Sequence, residues 1–183
     1  MVKTESTQAL RKNQIAPNFT LLGTDDQDYS LENFSSSKLV LIVFICNHCP
    51  YVKARIRDLV ALQSKFDRSD LQVIAINSND PNYQDEGFVN MKKFSLEYGL
   101  NFPYLFDESQ TVARSYRAVC TPDPFLFDSE RKLIYHGKIN DAIEPDMVPK
   151  VQIMEVNVRK VLAGQPLDKD FDPSVGCSIK WKD

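Results

Sequence analysis

The sequence predicts an α/β fold: a central mixed β-sheet flanked by helices, with an N-terminal β extension. Three observations carry this. Leu39-Val40-Leu41-Ile42-Val43-Phe44-Ile45 is a continuous apolar run, as a strand buried on both faces should be. Leu71 to Ile76 reads as a second buried strand, and helical patterns separate the strands, which is the alternation of an α/β chain. Two adjacent strands near the end, Phe125–Phe127 and Leu133–Ile139, are joined by the turn 128–132 and make the sheet mixed.

The elements follow in order. Residues 1–14 are polar and are expected to form a flexible N-terminus. Phe19 to Leu22 and the segment from Tyr29 supply short strands of the extension. Pro50 opens a helix to about Phe66, with Val52, Ile56, Leu59 and Phe66 on one face. Glu86 to Tyr98 reads as a helix stopped by Gly99. Pro103 to Phe106 is a short strand, after which Asp107 and Gln110 suggest a capping box. Met147, Val151, Met154, Val158 and Val161 recur at helical spacing, closed by Gly164 and Pro166. The expected layout is one domain over 15–165 and a C-terminal tail, 166–183, carrying Cys177.

Composition narrows the function classes. A chain of 183 residues is one domain, long enough to bury a core without staples. With 43% hydrophobic and 26% charged residues it is an ordinary globular composition. Six Gly and ten Pro exclude collagen-like and low-complexity classes. The apolar run at 39–45 is too short to span a bilayer, so no membrane association is expected. A net charge of -3 leaves no electrostatic footprint for nucleic acid.

Four cysteines, Cys46, Cys49, Cys120 and Cys177, are too sparse for a disulfide scaffold. The polar N-terminus shows no secretory h-region, so the expected compartment is the reducing cytoplasm. Cys46 and Cys49 form a C-x-x-C, a spacing that chance gives roughly once in fifteen such chains. Its context is stronger: it joins the carboxyl end of a buried strand to a helix N-terminus, where a thiolate is stabilised by unpaired N–H groups and the helix dipole. With Pro50 first in the helix, Cys49 is the N-cap and the candidate nucleophile, and Cys46 a candidate resolving thiol. Cys120 is a second candidate resolving thiol; a buried, inert cysteine is equally expected there. For Cys177, a packed or surface tail thiol is favoured over a distal resolving role. His48 either steers the thiolate's protonation or faces solvent. Lys53 and Arg55 read as a solvated helix face. Asp123, Asp141, Glu144 and Asp146 read as turn and cap residues, and His136 as an ordinary strand residue.

Cys49 within strand–Cys–helix, Phe19 after Ala16-Pro17, and Pro122 before Phe125-Leu126-Phe127-Asp128 resemble the thioredoxin-like superfamily, in its peroxiredoxin-like (AhpC/TSA, redoxin) branch. The Cys46-Asn47-His48-Cys49-Pro50 motif and Gly176-Cys177-Ser178-Ile179-Lys180-Trp181 resemble an uncharacterised "thioredoxin family" subgroup. The resemblance runs from about Ile15 to the last helix and implies a thioredoxin-like domain. It implies that Pro122 is cis, that Thr121 faces Cys49, and that Thr121, Pro122 and His48 contact substrate. It also implies that no organic cofactor is used, and that a homodimer is the oligomer to expect. Two departures stand out. Where peroxiredoxins carry Pro, Thr and an Arg around the reactive cysteine, this chain has Ile42, Cys46 and Pro122, so the groups that would polarise a peroxide O–O bond are missing. Where thioredoxins carry a buried acid and a second cysteine three residues on, it has Val43 and Val52.

The implied activity is a thiol–disulfide oxidoreductase, reducing disulfides or peroxides and recharged by a thioredoxin-type or other dithiol reductant. Two alternatives stand beside it. Cys46, His48, Cys49 and Cys120 could hold zinc or copper(I). A non-catalytic binding module on the same fold would show an ordinary Cys49 thiol.

Overall fold

The computed structural model describes residues 3–8 and 10–182. The two long apolar runs form the middle of an eight-stranded sheet. β4 (Leu39–Phe44) and β5 (Leu71–Asn77) lie parallel, Leu39 opposite Leu71 and Phe44 opposite Ile76, and every residue of both strands is buried. Burial on both faces is why neither run alternates with polar residues. β8 (Asp123–Phe127) flanks β4 antiparallel and β9 (Leu133–Gly137) closes the hairpin, so the mixed sheet forms as expected. β6 (Tyr104–Phe106), β2 (Thr20–Gly23) and β3 (Asp28–Ser30) extend the other side. β10 (Phe171–Asp172) adds a parallel edge to β9.

Alternating β4 side chains feed two cores. Leu41, Val43 and Ile45 meet Val52, Ile56 and Leu59 of α1 (Pro50–Ser64), Met91 and Phe94 of α2 (Phe88–Tyr98), and Met154 and Val158 of α4 (Ile153–Leu162). Val40, Ile42 and Phe44 meet Tyr116 of α3 (Thr111–Tyr116), a 3-10 turn over Leu31–Phe34, and Phe19. No helix among the described residues is long and apolar enough to cross a membrane.

Three expectations need correction. Asp107 does not cap a helix at once. The chain turns through Gln110 in a left-handed conformation, and α3 starts at Thr111 with Asp107 Oδ2 accepting from Ala113 N at 2.9 Å. The periodicity at Met147 and Val151 is not helical. Pro149 disfavours helix at its neighbour, and Asp141 Oδ1 instead accepts from the amides of Lys150 and Val151. Among the described residues, the segment expected to be a flexible N-terminus forms a strand, and so does the C-terminal tail. β1 (Lys3–Glu5) pairs antiparallel with β11 (Val175–Ser178), which pairs antiparallel with the two-residue strand β7 (Cys120–Thr121). Leu10 is buried in the second core.

Candidate active site

The site begins where β4 ends. Cys49 is the N-cap of α1, in extended conformation, with Pro50 first in the helix. Cys49 Sγ lies 3.3 Å from the carbonyl oxygen of Thr121 and 2.8 Å from Cys177 Sγ. Cys46 Sγ lies 3.1 Å from Thr121 Oγ1. The Thr121–Pro122 peptide is cis, and Thr121 faces both thiols of the C-x-x-C.

This packing decides which thiol ionises. The Cys46 thiol donates to Cys49, and together with the Cys177 thiol and the amides of Val52 and Cys177 it overcomes burial and lowers the Cys49 pKa to about 5. The donors move the opposite way. Burial, reinforced by the neighbouring Cys49, pushes Cys46 well above the ordinary thiol value and Cys177 up to about 12. The cluster therefore holds one thiolate between two protonated thiols. Cys46→Ala is expected to raise the Cys49 pKa above about 5, read from thiolate ultraviolet absorbance. An unchanged titration would remove Cys46 as a donor.

Cys120 faces other partners. Its sulfur lies 3.9 Å from both Pro122 O and Ser174 Oγ, and burial raises its pKa. Beside it Asp123 is wholly buried rather than a turn or cap residue. Its Oδ1 meets His136 Nε2 at 2.7 Å and accepts from Ser174 Oγ at 3.2 Å, and burial raises its pKa. His136 is a strand residue, as expected, with its ring stacked on Phe125.

The cysteine turn is held by a residue the sequence did not single out. Glu86, fully buried, accepts from the amides of Asn47 (3.0 Å) and His48 (3.3 Å) through Oε1 and from Asn77 Nδ2 (2.6 Å) through Oε2, and Oε1 also meets His48 Nδ1. His48 is thus turned to Glu86 rather than to solvent, with its ring packed on Tyr83. The only hint in the sequence was an acid just before a helix, which is ordinarily a cap residue. Arg55 is likewise not a solvated face residue. It is buried, and its Nη2 donates to the carbonyls of Ala142, Glu144 and Met147. Lys53 is exposed, as expected. A small cleft beside Pro122 is lined by Tyr51, Arg55, Ile139, Ser174 and Val175.

Cys46, His48 and Glu86 bring three potential ligand atoms within 4.8 Å of one another. The metal reading of the sequence had Cys49 and Cys120 beside Cys46 and His48; neither belongs to this trio, and Glu86 does. All of its acceptor capacity toward this turn is committed to the bonds above, and Cys46 is engaged with Thr121. A cation would have to break the bonds that shape the turn, so the trio fits a positioning role better than a metal centre.

Comparison with known proteins follows the same line. A crystal structure of an uncharacterized conserved protein from Geobacillus kaustophilus superposes with a TM-score of 0.93 at 38% identity, covering 100% of this chain and 97% of that one. The thiol-disulfide oxidoreductase ResA of Bacillus thuringiensis subsp. konkukian is 25% identical over 123 residues, 67% of each chain. A protein of Helicobacter pylori named as a peroxiredoxin, bcp, is 29% identical over 112 residues, 61% of this chain and 68% of its own. The fold is thioredoxin-like. The AhpC/TSA family model matches residues 13–136, from before β2 into β9 and across the whole cysteine turn, and this chain belongs to the AhpC/TSA family.

Proposed function

We infer that this chain is a thiol–disulfide oxidoreductase of the peroxiredoxin-like kind, with Cys49 as its nucleophile. The observation that carries the reading is the position of the Cys49 sulfur: at the N-terminus of α1 and in contact with a second thiol, among donors that lower its pKa. The thiolate attacks one sulfur of a disulfide, forms a mixed disulfide and expels the other half as a thiolate; a second protein thiol then displaces the remaining half. The lowered pKa favours this reading over a non-catalytic module. Thr121 and Pro122 border the reacting sulfur and are the proposed substrate contacts, whereas His48 acts by shaping the turn through Glu86. No organic cofactor takes part in such exchange. A thioredoxin-type dithiol in a reducing cytoplasm is the proposed reductant. Peroxide reduction is the weaker activity on this reading, because Ile42, Cys46 and Pro122 stand where a peroxidase would place its O–O polarising groups.

The test is a pH titration of thiolate absorbance alongside turnover of a low-molecular-weight disulfide with a dithiol reductant. The wild type should titrate near pH 5. Cys49→Ser should lose that transition and lose turnover by orders of magnitude. A Cys49 that ionises like free cysteine, with no turnover, would overturn the reading.

A further inference from the structure

β11 enters the site as an inserted strand. It lies between β1 and β7, with Cys177 directly opposite Thr121 in register. Thr121 is also the residue whose carbonyl and hydroxyl oxygens meet Cys49 and Cys46. The strand therefore carries a third thiol to the point where the other two converge. The approach is closer than a side chain allows: a Cβ on Gly176 would lie 2.0 Å from the Thr121 carbonyl oxygen. Glycine at this position is what lets β11 come near enough for Cys177 Sγ to reach 2.8 Å from Cys49 Sγ. Further along, Ile179 N bonds Val119 O, Lys180 O accepts from Asp80 N and Gln110 Nε2, and Lys180 N bonds Asn79 Oδ1. The strand is thus anchored on both sides of its cysteine. Cys46 also meets Cys49, but its sulfur is shared with Thr121 Oγ1, 3.1 Å away.

We propose that Cys177 is the resolving thiol of this site, so that the oxidised protein carries a Cys49–Cys177 disulfide rather than a Cys46–Cys49 one. This rests on Cys49 being the exchanging thiolate. In the first step the Cys49 thiolate bonds to one sulfur of a substrate disulfide and releases the other as a thiolate. In the second, Cys177 bonds to Cys49 Sγ, its proton passes to the departing second thiolate, and the substrate leaves as two thiols while the two cysteines are oxidised. An external dithiol reverses the change, becoming a disulfide itself. The order of events follows from charge. While Cys49 is a thiolate, its charge and its hydrogen bond help keep Cys177 protonated. Once Cys49 is in a mixed disulfide both influences vanish, and Cys177 becomes easier to ionise when it is needed as a nucleophile.

The experiment mixes the reduced full chain with a slight excess of dithiobis(nitrobenzoic acid), counts the coloured thiolate released, and maps disulfides by mass spectrometry without reduction. The expected wild-type result is two leaving thiolates per Cys49 and a linked peptide pair containing Cys49 and Cys177. Cys177→Ser should release one and retain the reagent half on Cys49. A Cys46–Cys49 linked pair in the wild type, or full resolution in Cys177→Ser, would overturn the proposal while leaving Cys49 as nucleophile. If Cys49 takes up no reagent in any variant, the exchange reading fails and the proposal with it. Should Cys177→Ser fail to fold, the wild-type map decides alone.

Discussion

Gly176→Ala is expected to push β11 out of the site. The added Cβ would sit 2.0 Å from a backbone oxygen, and backbone, unlike the end of a flexible side chain, has little room to retreat. The cost should lie at or above the upper end of the ~1–3 kcal/mol typical of overpacked positions, read from the denaturant midpoint. The chemical effect is larger. β11 supplies the Cys177 thiol and amide that help hold Cys49 at about 5, so their withdrawal should raise the Cys49 pKa toward its ordinary 9.0. The stability profile gives a second readout. In the wild type the unfolded chain binds more protons at Cys49 between about pH 5 and 9, so stability rises with pH across that window and is lost as pH falls through about 5. Cys46 and Cys177, raised in the folded state, act oppositely above pH 9. Gly176→Ala should flatten the rise between 5 and 9. A variant with wild-type stability and an unmoved thiolate titration would show that β11 does not need this close approach.

Glu86→Ala carries the other large effect. It removes, in one step, the acceptor for the amides of Asn47 and His48 and for Asn77 Nδ2. Buried donors left unpaired cost about 1–3 kcal/mol each, so a loss of about 3 kcal/mol or more is expected. The turn between the two cysteines should loosen with it. Hydrogen exchange at the Asn47 and His48 amides is the direct measurement, and it should accelerate more than exchange in β4. Glu86 also helps raise the Cys46 pKa, so Cys46 should ionise more readily in the variant. Glu86→Gln, which keeps the shape and one acceptor oxygen, should recover part of both losses. Unchanged exchange at Asn47 and His48 in Glu86→Ala would mean that other groups hold the turn.

What could be read from the chain was whatever is local in sequence. β4 announces itself as an unbroken apolar run, β5 as an apolar run interrupted only by Gln72 before it ends at Asn77, and α1 by the spacing of Val52, Ile56 and Leu59 after Pro50. Cys49 at the N-cap follows from Pro50 alone. What could not be read is long-range. Cys49 and Cys177 are 128 positions apart, and nothing near either residue encodes the pairing of β11 with both β1 and β7. The strand in the tail could not be read because its four residues are too few to show a period, and because Gly176 looks like a turn residue until its contact with Thr121 is seen. Asp123 was taken for a turn or cap residue and Glu86 for the start of a helix because acids are seldom buried, and the partners that make burial tolerable lie on other elements. Met147 and Val151 misled by extending a true helical period past Pro149, whose local veto the periodicity does not register.

The chain between β10 and β11 works as a ruler. At one end Gly137 lets Asp172 O approach so closely that a Cβ would lie 2.0 Å from it; at the other, Gly176 does the same for Thr121 O. These two marks fix the register of β11, and Cys177 follows directly on the second. Because strand side chains alternate, a residue gained between Gly176 and Cys177 would turn the cysteine to the opposite face while both pinned glycines kept their places. Such a chain would still hold four thiols, yet its third sulfur would point away from Cys49. Among relatives, the spacing of this glycine and cysteine should therefore sort the chains that can close this pair from those that cannot.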